Sequence, residues 1–206
     1  MNTKTSAKPQ NPKPGTDRKG KTYDMAYIAA FTVLIAICSW ISIPAVVPFT
    51  LQTFAVFLAV TVLGGKRGTM AVTLYVLLGA IGLPVFSEFT GGLGVILRNT
   101  GGYIIGFIFS ALVMWLMESL FIKKLPAKYT LVIQAVSMVF GLLACYAAGT
   151  AWFMFVYMKD AGPIGLTTVL GWCVIPFIIP DVAKIALALM LGRKLRKPLG
   201  KIMGNL

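Results

Sequence analysis

The sequence predicts an all-α integral membrane protein with about six transmembrane helices and with both termini in the cytoplasm. Of its 206 residues, 58% are hydrophobic and only 12% are charged, whereas soluble domains carry about 25% charged residues. The apolar residues form long runs, and a helix needs about 20 of them to span a bilayer. Most Lys and Arg residues fall between these runs. This placement of a net charge of +13 indicates membrane topology rather than a nucleic-acid-binding face.

The N-terminal segment differs in composition from the remainder of the chain. Residues 1–23 contain six Lys or Arg, three Pro and almost no apolar side chains, so they cannot bury enough apolar surface to fold. We therefore predict a flexible basic cytoplasmic tail at 1–23 and a membrane domain at 24–206. Binding of the tail to anionic lipid is the alternative interpretation.

Three apolar spans follow the tail in close succession. They are predicted at 25–43, at 50–63 and from the glycine-rich turn after 63 to about residue 82. A re-entrant hairpin is the alternative for the second and third spans. Its tip would hold Lys66 and Arg67 within the membrane, where each charge costs roughly 2.5–3.5 kcal/mol. Two short complete spans are therefore favoured.

The stretch 82–102 is apolar but too rich in glycine to form a regular span. It contains six glycines and a proline, and such backbone is tolerated at membrane depth only where protein or a cavity covers it. We predict a folded loop over a binding site, in which the backbone at Gly91 and Gly92 is offered to a ligand. An ordinary surface turn is the alternative.

The C-terminal half of the chain predicts three further helices. Spans four and five are expected at 103–122 and 130–157, followed by an interrupted apolar segment. Because proline suits the first turn of a helix, the sixth span is predicted from Pro180 to Lys197. This layout places sixteen of the 19 Lys and Arg residues in cytoplasmic segments, as the positive-inside rule requires.

Asp181 and Lys184 place an acid and a base inside the last apolar span. Residues three apart share one face of a helix, so these side chains can contact each other or a common ligand. Charges at membrane depth are expensive and usually indicate function. The alternative is a pair whose only role is to neutralise itself.

Several functions lack the residues that they require. The chain has no histidine, so zinc, haem and histidine-based catalysis lose their usual ligands and bases. The three cysteines have no CxxC spacing and are interpreted as small core residues. Neither GxGxxG nor GxxxxGK[ST] occurs, so no nucleotide-binding loop is expected. We predict no catalytic residue, no metal site, no cofactor and no nucleic-acid partner.

Several short runs in the loops and the last span occur together in a distinctive order. They are Pro48-Phe49-Thr50-Leu51-Gln52-Thr53, Gly82-Leu83-Pro84-Val85-Phe86, Gly91-Gly92-Leu93-Gly94, Thr100-Gly101-Gly102-Tyr103, Pro176-Phe177 and Asp181-xx-Lys184. Over about residues 25–195 this combination resembles the BioY family, the biotin-binding S subunits of energy-coupling factor (ECF) transporters.

The resemblance implies a fold, a substrate and partners. The implied fold is the six-helix ECF S-component in a bacterial or archaeal cell membrane, with biotin captured near the extracellular face. The implied partners are a transmembrane coupling subunit and two ATPase subunits. Ala26 and Ala30 match the Ala-xxx-Ala motif with which S subunits dock to the coupling subunit, and small residues at this spacing let helices approach closely.

Biotin offers a ureido ring, an apolar sulfur ring and a carboxylate, so its site needs an acceptor, a donor, an apolar wall and a cation. Asp181 can accept, Lys184 can donate or pair with the carboxylate, and the aromatic candidates can form the wall. The candidate biotin-contacting residues are Thr50, Gln52, Phe86, Gly91, Gly92, Arg98, Asn99, Tyr103, Trp152, Asp181 and Lys184.

The sequence departs from the family pattern at two places. Glu88 replaces an expected small residue, and Arg98-Asn99 replaces an expected Gly-Pro. The roles of Glu88 and Arg98 therefore rest on chemistry alone: Arg98 either meets a carboxylate or is a solvated loop charge.

Three alternative functions remain. One is an S subunit for another vitamin. A second is a standalone secondary transporter in which Asp181 carries a proton, although the nearby Lys184 disfavours a freely titrating carboxylate. A third is an intramembrane enzyme, which would lack paired carboxylates because four of the six acids lie singly outside the site.

Overall fold

The computed structural model describes residues 14–122 and 126–203, and in them the chain is a mostly helical multi-pass membrane protein. The helices are α1 (Pro14–Trp40), α2 (Gln52–Leu63), α3 (Gly65–Ala80), α4 (Leu93–Ile96), α5 (Gly101–Met117), α6 (Thr130–Ala161), α7 (Leu166–Cys173) and α8 (Ile175–Met203). Strands β1 (Ser42–Ile43) and β2 (Phe49–Thr50) pair antiparallel between α1 and α2. Short helical turns occupy Ser87–Phe89, Glu118–Ile122 and Ala127–Tyr129.

Four helical segments within the described residues are long and apolar enough to cross a membrane. They are Gly20–Trp40, Gly101–Phe121, Thr130–Ala161 and Ile175–Arg196. The second and third predicted spans are present as α2 and α3, which have 12 and 16 residues. At 1.5 Å per residue these are only about 18 and 24 Å long.

Helix α2 is the centre of the helical bundle. Most of its residues are buried, including Val56, Phe57 and Val60 with no exposed surface, and it packs against α1, α3, α5 and α8. A helix that is apolar on every side is expected in the interior of a bundle. The N-terminus of α2 therefore presents Gln52 to the inside of the protein rather than to lipid.

Helices α5 and α6 pack more extensively than any other described pair, because glycines let their backbones approach. A Cβ atom at Gly149 of α6 would lie 2.2 Å from ring atoms of Tyr103 on α5. This packing fixes Tyr103 at the N-terminal end of α5, where its hydroxyl lies 3.2 Å from Thr150 Oγ1.

The loop between α3 and α5 is folded against two helices. Ser39 Oγ donates to the carbonyl of Val85 at 2.6 Å, and Trp40 Nε1 donates to that of Pro84 at 3.0 Å. At its other end, Trp152 Nε1 of α6 donates to the carbonyl of Arg98 at 3.0 Å. The loop is therefore attached to α1 near its first end and to α6 near its last end.

Two predicted helix starts differ from the structure. Helix α1 begins at Pro14 rather than near residue 25, so 14–23 is helical, while 1–13 lies outside the described residues. Helix α8 begins at Ile175 and contains Pro180 in its interior. The proline in its first turn is Pro176, the position where the missing N–H costs no helical hydrogen bond. The interrupted segment before it holds α7, which the sequence pattern did not predict.

Candidate ligand-binding cavity

A cavity lies where the α3–α5 loop meets the N-terminal ends of α2, α5 and α8. The space open to the centre of a water molecule is about 80 Å³, several times the roughly 10–15 Å³ that one water needs. The lining residues are Val47, Pro48, Thr50, Gln52, Thr53, Ser87, Val95, Thr100, Tyr103, Ile104, Phe107, Leu142, Cys145, Tyr146, Cys173, Phe177, Asp181 and Lys184.

The charged pair on α8 forms the polar floor of this cavity. Lys184 Nζ lies 2.7 Å from Asp181 Oδ1, and Tyr146 of α6 donates its hydroxyl to Asp181 Oδ2 at 2.5 Å. Asp181 is 2% exposed and Lys184 is 7% exposed. Because both oxygens of the buried carboxylate have partners, the pair avoids the large cost of an unpaired buried charge.

Lys184 keeps hydrogen-bonding capacity that faces the cavity. An ammonium group has three N–H donors, and among the described residues Lys184 donates only to Asp181. The remaining donors can serve a ligand oxygen. Asp181 therefore orients and neutralises Lys184. The ammonium group of Lys184 is the cation that a bound anion would contact.

Neutral polar groups line the side of the cavity formed by α2 and α5. Gln52 donates its Nε2 to the hydroxyl of the buried Tyr75 at 2.8 Å, and its backbone N–H donates to Thr50 Oγ1 at 3.3 Å. Tyr103 contributes its ring and a hydroxyl paired with Thr150. These contacts hold the side chains in place for a ligand.

Aromatic and aliphatic side chains form the remaining wall. Phe177 at the start of α8 stacks on Phe49 of β2, with ring centroids 4.1 Å apart. Phe107 of α5 and Leu142 of α6 also line the cavity. A small site with an apolar wall and a few placed polar groups is typical of cavities that bind small organic molecules.

The structure brings five of the eleven predicted contact residues together around the cavity. They are Thr50, Gln52, Tyr103, Asp181 and Lys184. The six that lie outside the lining are Phe86, Gly91, Gly92, Arg98, Asn99 and Trp152.

Those six residues lie in the loop or against it, outside the cavity lining. Phe86 is 1% exposed and packs edge-on against Tyr75 beneath the loop. The N–H of Gly92 is committed to the carbonyl of Gly79 at 2.6 Å, so that backbone group is not offered to a ligand. Arg98 and Trp152 meet through the hydrogen bond that ties the loop to α6. Asn99 lies beside Thr100, which takes the lining position.

The prediction missed Tyr146, which completes the polar floor. Its position in the middle of the apolar α6 gave one usable signal, because a buried tyrosine hydroxyl usually finds a hydrogen-bond partner. Identifying Asp181 as that partner requires the packing of α6 against α8. Cys145 and Cys173 also line the cavity, and both are buried free thiols.

Side chains that could ligate a metal do not cluster in the described part of the chain. No group of three or more Cys, Asp or Glu side chains there is placed to hold an ion. The cavity instead offers an ammonium, a carboxylate and hydroxyl groups, which suit hydrogen bonding to an organic ligand.

Comparisons with known proteins agree in family and fold. The sequence-family model described as the BioY family matches residues 6–201 of this chain. The chain is 44% identical to "Biotin transporter BioY" of Thermotoga maritima over 81% of this chain and 92% of the relative. It is 35% identical to "Biotin transporter BioY2" of Lactococcus lactis over 87% and 93%.

A solved structure is similar as well. It is described as the S-component for biotin from an ECF-type ABC transporter, and it superposes with a TM-score of 0.74 at 29% identity. The match covers 86% of this chain and 92% of that structure.

Proposed function

This chain belongs to the BioY family, and on that premise we propose that it is the biotin-binding S subunit of an ECF-type ABC importer. The observation that carries the proposal is the cavity closed by Asp181, Lys184 and Tyr146. Its chemistry matches the parts of biotin: a buried cation for the carboxylate or the ureido oxygen, acceptors for the ureido N–H groups, and an apolar wall for the sulfur ring. The two relatives reported above, which are 44% and 35% identical to this chain over the aligned residues, carry biotin in their names.

We infer that all six spans cross the cell membrane and that both termini lie in the cytoplasm. The short helices α2 and α3 would serve as complete spans, which a bilayer accommodates by local thinning. Basic residues support this orientation, because Lys66 and Arg193 lie at the end of the bundle opposite the cavity. The cavity then faces the outside, where biotin is captured.

Transport requires partner subunits in this proposal. The chain carries no P-loop sequence, so ATP hydrolysis is assigned to two ATPase subunits and force transmission to a transmembrane coupling subunit. Ala26 and Ala30 support a docking role, since both are exposed on one face of α1 and small side chains allow close helix packing. No cofactor is needed, and the protein is not itself an enzyme. Residues 1–23 are proposed to form a basic cytoplasmic segment, of which 14–23 continue into helix α1.

Isothermal titration calorimetry on the purified protein in detergent tests the substrate. We expect saturable binding of biotin, with no competition from excess riboflavin or thiamin. Saturable binding of one of those vitamins with no heat from biotin would reassign the protein to another vitamin. Accumulation of biotin in proteoliposomes that contain this chain alone, driven by a pH gradient, would favour the secondary transporter instead.

A further inference from the structure

A second cavity lies between α6 and α8 at the end remote from the ligand-binding cavity. It has a volume of about 360 Å³, and its polar lining comprises Lys128, Thr130, Gln134, Arg193 and Arg196. Lys184 and Arg196 are twelve positions apart on α8, which is about 18 Å along a helix. The two cavities are therefore separate features of the fold.

This cavity has a strong excess of positive charge. Three cations line it, and no acidic side chain does so among the residues that the structure describes. Among the described carboxylates, Glu118 pairs with one of these cations: its Oε1 lies 3.8 Å from Arg196 Nη1, while its Oε2 accepts the N–H of Gly65 at 2.7 Å. One acid thus offsets only one of the three cations.

The guanidinium group of Arg196 also has unused hydrogen-bonding capacity. Its Nη1 is buried and has no hydrogen-bond partner in the described residues, since 3.8 Å to Glu118 is too long for a hydrogen bond. A buried donor without a partner costs stability. An oxyanion in the cavity would balance the excess positive charge.

An apolar groove continues from the basic cavity toward the middle of the bundle. Its lining includes Leu131 of α6 together with Ala186, Leu189 and Met190 of α8. Leu131 and Arg193 line both spaces, so the basic cavity opens into the groove. Met190 is 57% exposed, as expected for a surface that faces acyl chains.

We propose that this surface binds one anionic phospholipid, with its headgroup phosphate in the basic cavity and one acyl chain along the groove. Lys128, Arg193 and Arg196 would hold the phosphate, and guanidinium groups suit it because they donate parallel hydrogen bonds. Basic pockets between membrane helices at the cytoplasmic surface are a recurrent form of lipid recognition. A soluble phosphate would use the cations but leave the groove empty, and a zwitterionic lipid would fill the groove without balancing the charge.

Native mass spectrometry of the detergent-purified protein with added lipids tests this proposal. We expect one phosphatidylglycerol to be retained in preference to phosphatidylcholine of the same acyl chains. The double variant Lys128→Gln/Arg193→Gln leaves the Arg196–Glu118 contact in place. Each basic residue near an anionic lipid contributes about fivefold in affinity, so this variant should bind phosphatidylglycerol roughly 25-fold more weakly.

A matched double variant controls for total charge. Lys66→Gln/Lys159→Gln removes two exposed lysines elsewhere and should retain wild-type lipid binding. Circular dichroism melting of each variant in detergent verifies that the proteins are folded, independently of biotin binding. Equal retention of the two lipids, wild-type retention by Lys128→Gln/Arg193→Gln, or displacement of phosphatidylglycerol by millimolar inorganic phosphate would each overturn the proposal.

Discussion

Asp181 receives contacts from two protein groups, and this changes how the charged pair on α8 is interpreted. Lys184 donates a hydrogen bond to one oxygen of the Asp181 carboxylate, and Tyr146 donates to the other. Asp181 and Lys184 also line the cavity. The geometry thus fits a pair that neutralises itself and a pair that binds a ligand. Replacing one partner of a buried pair leaves an uncompensated charge, whereas replacing both is often tolerated. The double variant therefore distinguishes the two hypotheses.

We predict that Asp181→Asn, Lys184→Met and the double variant all fold but bind biotin weakly. Each lost charge-assisted hydrogen bond costs about 1.5–3 kcal/mol, or roughly 10- to 100-fold in affinity. Calorimetry with biotin measures this change. Lys194→Met, an exposed lysine on the same helix, is the control and should bind as wild type. Near-wild-type affinity in the double variant beside weak single variants would show that the pair only balances itself.

At the scale of elements, the α5–α6 contact connects helix packing to the ligand-binding cavity. Gly149 allows α6 to lie directly against the ring of Tyr103, and Tyr103 lines the cavity from α5. The loop above the cavity depends on the same helix through Trp152. Helix α6 therefore positions both the wall of the cavity and its cover.

We expect Gly149→Ala to destabilise the protein and weaken biotin binding together. The added Cβ would lie 2.2 Å from the Tyr103 ring, and overpacking of this kind costs about 1–3 kcal/mol. Gly171→Ala in α7 is the matched control, because its Cβ would meet no atom within 4 Å. That change should be neutral or stabilise by about 0.5–1 kcal/mol, as alanine favours helices. Thermal unfolding in detergent compares the two, and equal melting temperatures would contradict the packing argument.

The cover of the cavity also contains unusual backbone. Glu88 and Phe89 have φ values of 58° and 55°, in the left-handed region that side chains with a Cβ rarely adopt. Glu88 is also the residue at which the resemblance led us to expect a small side chain. A residue such as glycine would adopt this backbone conformation without strain.

At the scale of the whole molecule, substitutions on the exposed face of α1 can test transport independently of ligand binding. Ala26 and Ala30 are exposed and lie outside the cavity lining. Substitutions there should leave the ligand-binding site unchanged. A defect confined to uptake would therefore report on docking to the coupling subunit.

The double variant Ala26→Leu/Ala30→Leu is predicted to bind biotin normally and to lose ATP-dependent uptake in the assembled transporter. Two bulky side chains would keep the backbone of a partner helix from approaching. Ala147→Leu/Ala151→Leu provides the control, because it makes the same change at the same spacing on the exposed face of α6. Radiolabelled biotin uptake in proteoliposomes measures the effect. Normal uptake by the α1 variant would move the interface elsewhere.

The sequence alone determined the membrane class, the approximate positions of the helices and the charged pair on the last span. These features follow from local properties: apolar runs define spans, glycines interrupt them, and residues three apart on a helix must share a face. The runs in the loops and the last span also indicated the BioY family, because their order and spacing are visible in the chain itself. Thr50, Gln52, Tyr103, Asp181 and Lys184 were predicted as ligand contacts in this way, and the structure places all five in the cavity lining.

Only the tertiary structure decided which of the loop residues reach the cavity and which support it. Phe86 and Trp152 were predicted as ligand contacts because aromatic side chains suit both a wall and a core, and only packing distinguishes the two roles. Tyr146 was missed because its partner, Asp181, lies 35 residues away on another helix. The basic cavity likewise joins Lys128 to Arg193 and Arg196 across two elements. Such groups meet because α6 packs against α8, and no local pattern in the sequence encodes that contact.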